Sequence, residues 1–324
     1  MSNKKYKPVL SERDRSVFRD LIESRVMTLA QICDLHFGGS YEYAKKRFQQ
    51  LKAADYVHER KPAHNRGRYY ASTLSLARSG FMAMAEDPFV LGEEMSWDDL
   101  RERLDFAESS LSHELEVVDM KVAFANAIRA VASLTIEEFS TYPRRYQFET
   151  EHFERGKIFT LKPDAYARVS GGSPREHAFF FEWDRSSEAH RKLGIKAFGY
   201  QRYFESGAFA MWNGVSEEQR DDYPFTPIFI LPNEERRNNT AEHLLQLTHP
   251  KTGARIRRNA LLLTTHAEFL ADPLSAIYIT LAQYQSVTRD SPYDAATHKA
   301  MSRAIERDRF VSDRAEKTVL FGGV

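Results

Sequence analysis

The chain is predicted to be α/β in two parts, a small helical module closed by a β-hairpin and a larger domain around a mixed sheet. Three observations predict this. Polar caps and a Gly38-Gly39 break divide residues 11–53 into three short helices. Between residues 137 and 264, short apolar runs alternate with helical stretches. Within that region Pro163-Asp164 and the run Phe179-Phe180-Phe181-Glu182-Trp183-Asp184 put carboxylates at the ends of two adjacent strands.

The first helix starts at Ser11, with Asp14 three residues on and Val17, Phe18, Leu21 and Ile22 at helical spacing. The second starts at Thr28, with Gln31 completing a capping box, and runs through Leu29, Ile32, Cys33 and Leu35. Ser40 caps the third, Tyr41 to about Ala53. Two short helices around a Gly-containing turn are the helix-turn-helix pattern. Tyr56-Val57-His58 and Tyr69-Tyr70-Ala71-Ser72-Thr73 alternate as paired strands, with residues 60–68 as the loop between them. This makes residues 1–84 a winged helix-turn-helix. Leu74, Leu76, Ala77, Phe81, Met82 and Met84 are expected to form a short helix packing back on it. Residues 85–103, with Pro88, a Gly-Glu-Glu turn and several acids, are expected to be a linker to a domain spanning 104–324.

Charge points to the use of the first module. From Tyr41 to Tyr70 there are eight Lys and Arg against three acids, a local +5 in a chain with 46 basic and 46 acidic residues. A recognition helix enters the major groove by its first half, which makes Tyr41, Tyr43, Lys45, Lys46, Arg47 and Gln49 candidate DNA contacts. Arg60, Lys61, Arg66 and Arg68 in the loop suit an adjacent minor groove or backbone. The alternative is a winged helix that forms a homodimer, its charges merely solvated.

The second domain opens with an amphipathic helix, Leu104 to Ala132, carrying His113, Glu114 and Glu116. Strands follow near 137–141, 158–160, 165–169 and 178–181, then a helix from Ser186 to about Phe204. A strand at 226–231, a helix near 240–247 and a strand at 260–264 complete the pattern. Asp164 and Glu182 end neighbouring strands, and Asp184, two residues on, shares Glu182's face because side chains alternate along a strand. Three converging carboxylates need a divalent cation or a cationic side chain between them. All-oxygen ligands favour Mg²⁺ or Mn²⁺, and such sites serve attack of water on a phosphodiester. The plainer reading leaves two of the three as solvated strand ends.

Pro-Asp on one strand and Glu on the next resembles the restriction-endonuclease-like PD-(D/E)xK superfamily. Joined to the amino-terminal winged helix, Glu182-Trp183-Asp184-Arg185-Ser186-Ser187-Glu188 and the helix with Lys196 and Tyr200 are similar to the replication-relaxation family of plasmids and integrative elements. The MOBC-class relaxases are related to that family. The resemblance spans Ser11 to about Asp272. It implies a DNA nuclease or relaxase with Asp164, Glu182 and Asp184 binding Mg²⁺ or Mn²⁺. Lys196 would then meet transition-state charge, and Glu188 or Tyr200 would orient the site. The superfamily's lysine falls at position 184, where this chain has aspartate; in some relatives it moves to the following helix, as Lys196 would. His113, Glu114 and Glu116 are further candidates, since the first helix of these nucleases often contributes a carboxylate. Residues 273–324 are helical material without an assignment.

The implied partners are double-stranded DNA at a transfer or replication origin and other relaxosome proteins. A silent DNA-binding accessory factor or regulator, and a defence endonuclease, are the rivals. No Gly-rich loop followed by Lys-Ser/Thr is present, which argues against ATP hydrolysis. The histidines form no His-x-His cluster. The single cysteine, Cys33, fits a reducing cytoplasm, and no apolar run approaches the ~20 residues needed to cross a bilayer.

Overall fold

The computed structural model describes residues 8–61, 72–171, 176–186, 189–289, 307–308 and 311–321. Its contacts divide it into two compact units, Met1–Asn126 and Ala127–Val324. No helix among the described residues is long and apolar enough to cross a membrane.

The first unit holds α1 (Glu12–Ser24), β1 (Met27–Thr28), α2 (Leu29–His36), α3 (Tyr41–Ala53), β2 (Val57–Arg60) and β3 (Thr73–Leu76). Ser11 and Thr28 each close a full capping box, with Asp14 and Gln31 returning the bond. Gly38 and Gly39 take positive φ of 56° and 79°, which lets the chain turn between α2 and α3 without a Cβ penalty. The three strands form a sheet in the order β1-β3-β2. Of the second expected hairpin strand, residues 69–71 lie outside the described residues; Thr73 opens β3, which runs on with Val57 opposite Leu76 and Arg60 opposite Thr73. Leu74 and Leu76 therefore belong to a strand, and only Arg78–Met82 (α4) is helical. Both leucines face the buried side, where Phe18, Leu21 and Phe48 also lie, so tertiary burial decides the register.

The expected linker is helical: α5 (Pro88–Gly92) and α6 (Trp97–Leu104), each capped, by Asp87 and Ser96. The long helix follows as α7 (Glu108–Ala130), and the division between units falls inside it. Its first part is tied to the amino-terminal helices. Lys121 reaches Asp20 at 2.8 Å and Glu23 at 3.2 Å, and Gln31 donates to Asp119 at 2.7 Å and to the Leu115 carbonyl at 2.8 Å.

The second unit contains β4 (Thr135–Ser140), β5 (Phe148–Glu151), β6 (Ile158–Leu161), β7 (Ala165–Ser170), β8 (His177–Trp183), α8 (His190–Glu205), α9 (Ala208–Trp212), β9 (Phe225–Leu231), α10 (Glu234–Gln246), β10 (Leu262–Thr265), α11 (His266–Ala271) and α12 (Leu281–Arg289). Five strands make a mixed sheet in the order β10-β9-β8-β7-β4, and β5-β6 form a separate hairpin. β8 is the central strand, antiparallel to β7 and parallel to β9. Burial on both faces explains its apolar run from Ala178 to Phe181. One face, with Ala178, Phe180, Phe229 and Leu231, packs against Leu193, Ala197 and Tyr200 of α8 and Leu244 of α10. The other carries Phe181, in ring contact with Phe269 of α11 and stacked with Phe139. Residues 311–321, unassigned from sequence, contribute Val311 and Ala315 to the first of these layers.

Candidate active site

The sheet sets up the site through its register. β7 and β8 pair with Ala165 opposite Phe181, and Asp164 stands just before β7, next to the end of β8. The Asp164 amide donates to the Phe181 carbonyl at 3.0 Å, and the Trp183 amide donates back to Asp164 Oδ2 at 2.7 Å. Tyr146 caps the strand end from outside, its hydroxyl donating to the Asp164 carbonyl at 3.2 Å. Glu182 is in phase with Ala178 and Phe180, so it continues the apolar face covered by α8. It is 1% exposed.

A buried carboxylate needs partners, and α8 supplies them from two positions one turn apart. Lys196 Nζ lies 2.8 Å from Glu182 Oε2, and the Tyr200 hydroxyl donates to Oε1 at 2.7 Å. Burial pushes the Glu182 carboxyl up to about 7; Lys196 opposes this, Asp164's charge adds to it, and the bonds from Lys196 and Tyr200 oppose it again. Burial and the facing carboxylate push the Tyr200 hydroxyl above its ordinary range, so it remains a donor. On another side of α8, glycine at position 199 lets the helix lie close against the β5–β6 hairpin. A Cβ there would lie 2.8 Å from Leu161 Cδ1 and 3.1 Å from Thr150 Cγ2.

Asp184 departs from the expectation. It is buried at the end of β8, but its carboxylate turns to Arg236 of α10, with Nε donating to Oδ2 at 2.7 Å, while Oδ1 accepts from the Ser186 amide at 3.1 Å. Arg236 also meets His190 at 3.1 Å. The chain leaves the strand after Trp183 and Ser186 takes a φ of 61°, so alternation no longer governs residue 184. The three-carboxylate set thus reduces to Asp164 and Glu182, near enough for the charge of Asp164 to act on Glu182, and Asp184 serves an ion pair. Among the described residues no three His, Cys, Asp or Glu side chains are grouped to hold a metal ion. The remaining pair still offers only hard oxygen donors. That suits Mg²⁺ or Mn²⁺, which bind through one or two carboxylates and keep several waters. Glu188 lies outside the described residues. Glu114 pairs with Arg25 and belongs to the first unit, as does the buried Glu116.

On the first unit, α3 exposes Tyr41, Tyr43, Lys45, Lys46 and Gln49. Tyr43 rests on Phe37, with Arg13 over both rings. Arg47 does not join them. Its guanidinium grips Asp14 at 2.7 and 3.0 Å and the Val9 carbonyl at 2.8 Å, bracing α3 to the start of α1. Burial works to raise the Asp14 carboxyl, but Arg47 and the Ser11 cap outweigh it and hold it below its usual range. Arg60 pairs with Glu108, and Lys61 is exposed. Arg66 and Arg68 lie outside the described residues.

Arg236, His190 and Tyr146 carry no signal in the sequence. They are ordinary residues brought to the strand ends by elements up to 52 positions from Asp184.

Comparison with known proteins completes this picture. No curated protein matches the chain. Among solved structures, that of restriction endonuclease FokI aligns with a TM-score of 0.23 and 14% identity, over 84% of this chain and 45% of the FokI chain. So low a score says nothing about fold or function. A family model described as replication-relaxation matches residues 18–218, more than half of the sequence and inclusive of Asp164, Glu182, Lys196 and Tyr200. The chain belongs to the replication-relaxation family.

Proposed function

We propose that this protein acts on the DNA of a plasmid or integrative element. In this reading the amino-terminal winged helix reads a duplex site such as a transfer or replication origin, and the second unit nicks a strand by metal-dependent hydrolysis. The observation that carries the proposal is Lys196, whose ammonium sits 2.8 Å from the buried Glu182 carboxylate, on which the charge of Asp164 also acts. Such a group can meet negative charge developing on a phosphate. Asp164 and Glu182 would hold Mg²⁺ or Mn²⁺, which when bound supplies Lewis-acid polarisation of the phosphate and an acidified water. Tyr200 fixes the Glu182 rotamer, and the Trp183 amide fixes that of Asp164.

The test is supercoiled DNA carrying the element's own origin, incubated with Mg²⁺ or Mn²⁺. Site-restricted nicks are expected from the wild type and are lost in Asp164→Ala and in Glu182→Ala. Double-strand breaks on unrelated DNA would identify a defence endonuclease instead. A second reading, a non-cleaving accessory factor or regulator, is favoured by the engagement of Glu182 with Lys196 and Tyr200 and of Asp184 with Arg236. Unchanged topology with an intact footprint would establish it.

For the duplex-reading surface, Lys45→Ala/Lys46→Ala is expected to weaken duplex binding and to reduce the slope of log K against log salt by up to about 2, leaving the melting temperature unchanged. Arg47→Ala is expected to behave differently. It frees the buried Asp14 from its cation and lowers stability by roughly 2 kcal/mol. A denaturant titration beside the binding curve separates the two. An unaltered salt slope in the double variant would place DNA on another surface.

A further inference from the structure

A cavity of about 520 Å³ opens in the second unit between α8, the start of β9 and the segment leading into β10. Its size suits a bound small molecule. Its walls include the rings of Tyr200, Phe204 and Phe225, and its polar groups include Thr226 and Asn259, with Arg257 beside them. Tyr200 is the residue whose hydroxyl holds Glu182, so one side chain serves both the cavity wall and the carboxylate. The rim is built. Gln201 accepts from the Arg257 amide at 2.8 Å and donates to the Arg255 carbonyl at 3.3 Å, which pins that segment to α8. Arg255, Arg257 and Arg258 are all exposed there; the Arg257 side chain is 60% exposed and meets Glu205 at 3.3 Å.

We propose that this cavity takes a nucleobase of the substrate strand, stacked among the rings, with the adjoining phosphate on Arg257. Flat aromatic walls match the face of a base, an amide and a hydroxyl match its edge, and three arginines in four residues match the backbone that follows it. A fatty-acid chain would use the rings and one arginine but would leave the amide unused. The proposal rests on the DNA-processing reading for the identity of its ligand, but its test does not need cleavage.

The full-length protein in EDTA is titrated calorimetrically with dTMP and dAMP, with the matching nucleosides, with inorganic phosphate and with octanoate. Saturable nucleotide binding is expected, and Ala260→Phe, which fills the cavity, should weaken it at least ten-fold. Arg257→Ala, on an exposed side chain that leaves the fold intact, should weaken the nucleotides and spare the nucleosides. The proposal is overturned by absence of saturable nucleotide binding, by unchanged affinity in both variants, by phosphate binding as well as the nucleotides, or by preference for octanoate. A wild type that nicks its origin yet binds no nucleotide removes the pocket alone. Nucleotide binding lost in Ala260→Phe, with no nicking by the wild type, supports the pocket and removes the hydrolytic reading alone.

Discussion

Replacing Lys121 with methionine is expected to destabilise the first unit by about 3–5 kcal/mol, the cost of stranding buried charge. Lys121 is 5% exposed and lies between Asp20 and Glu23, at 2.8 and 3.2 Å. His36 completes the cluster, its Nε2 at 2.7 Å from Asp20. Burial works to raise the Asp20 carboxyl, but Lys121 and His36 outweigh it and hold it far below its ordinary 3.8. Burial works to lower the Lys121 ammonium, but the two acids outweigh it and hold it above its ordinary 10.5. A depressed acid adds stability above its unfolded pKa and loses it as pH falls through its folded one. A raised base adds stability below its unfolded pKa and loses it as pH rises through its folded one. The pairing of Lys121 with the two carboxylates is therefore at full strength throughout the neutral range. In Lys121→Met the carboxyls lose their cation and rise, so the deficit should shrink on acidification from about pH 7 to about pH 4. Adding Asp20→Asn should recover part of the loss, because the residues act as one unit. Denaturant titrations of the two single variants and the double variant decide it. Single costs that simply add would mean the three charges are independent.

That cluster also explains where the sequence was readable and where it was not. The capping boxes at Ser11 and Thr28 are written in adjacent residues, and both form as spacing predicts. The central strand is legible for a similar reason: the apolar run Ala178–Phe181 suits a strand covered on both faces, and Ala178 to Trp183 are all buried. By contrast, Lys121 and Asp20 are 101 positions apart, and nothing in either neighbourhood announces their meeting. Residues 85–103 look like a linker because Pro88 and a run of acids dominate locally. Burial of Val90, Met95 and Leu100 makes them part of the first unit instead. The site divides in the same way. Lys196 and Tyr200 meet Glu182 together because an i,i+4 step puts both on one face of α8, a pattern that can be read locally. Asp184 was misplaced because alternation was carried one residue beyond the strand, into a turn where Arg236 decides the outcome.

Glu182→Gln should change how stability depends on pH, a readout that needs neither DNA nor metal. In the wild type the folded carboxyl titrates near 7 against an ordinary 4.5, burial being the main cause. Between those values the folded state holds a proton that the unfolded state has released. Stability from this group is thus greatest in acid and falls as pH rises through the window, by up to about 3 kcal/mol. Glutamine cannot titrate, keeps an oxygen for the Tyr200 hydroxyl, and leaves Lys196 without its carboxylate. Relative to the wild type, Glu182→Gln should therefore gain stability from about pH 5 to about pH 8, by roughly 1–3 kcal/mol in metal-free buffer. Comparing the two proteins at each pH cancels most of the other titrating groups. A difference constant across that range would mean that Glu182 is already ionised at acid pH, held so by the Lys196 ammonium. It would then be a structural ion pair rather than a carboxyl poised to exchange a proton for a cation, and the accessory-factor reading would gain at the expense of hydrolysis. A difference that grows with pH would fit a carboxyl that can accept a divalent ion near neutrality, with Lys196 released to face the phosphate.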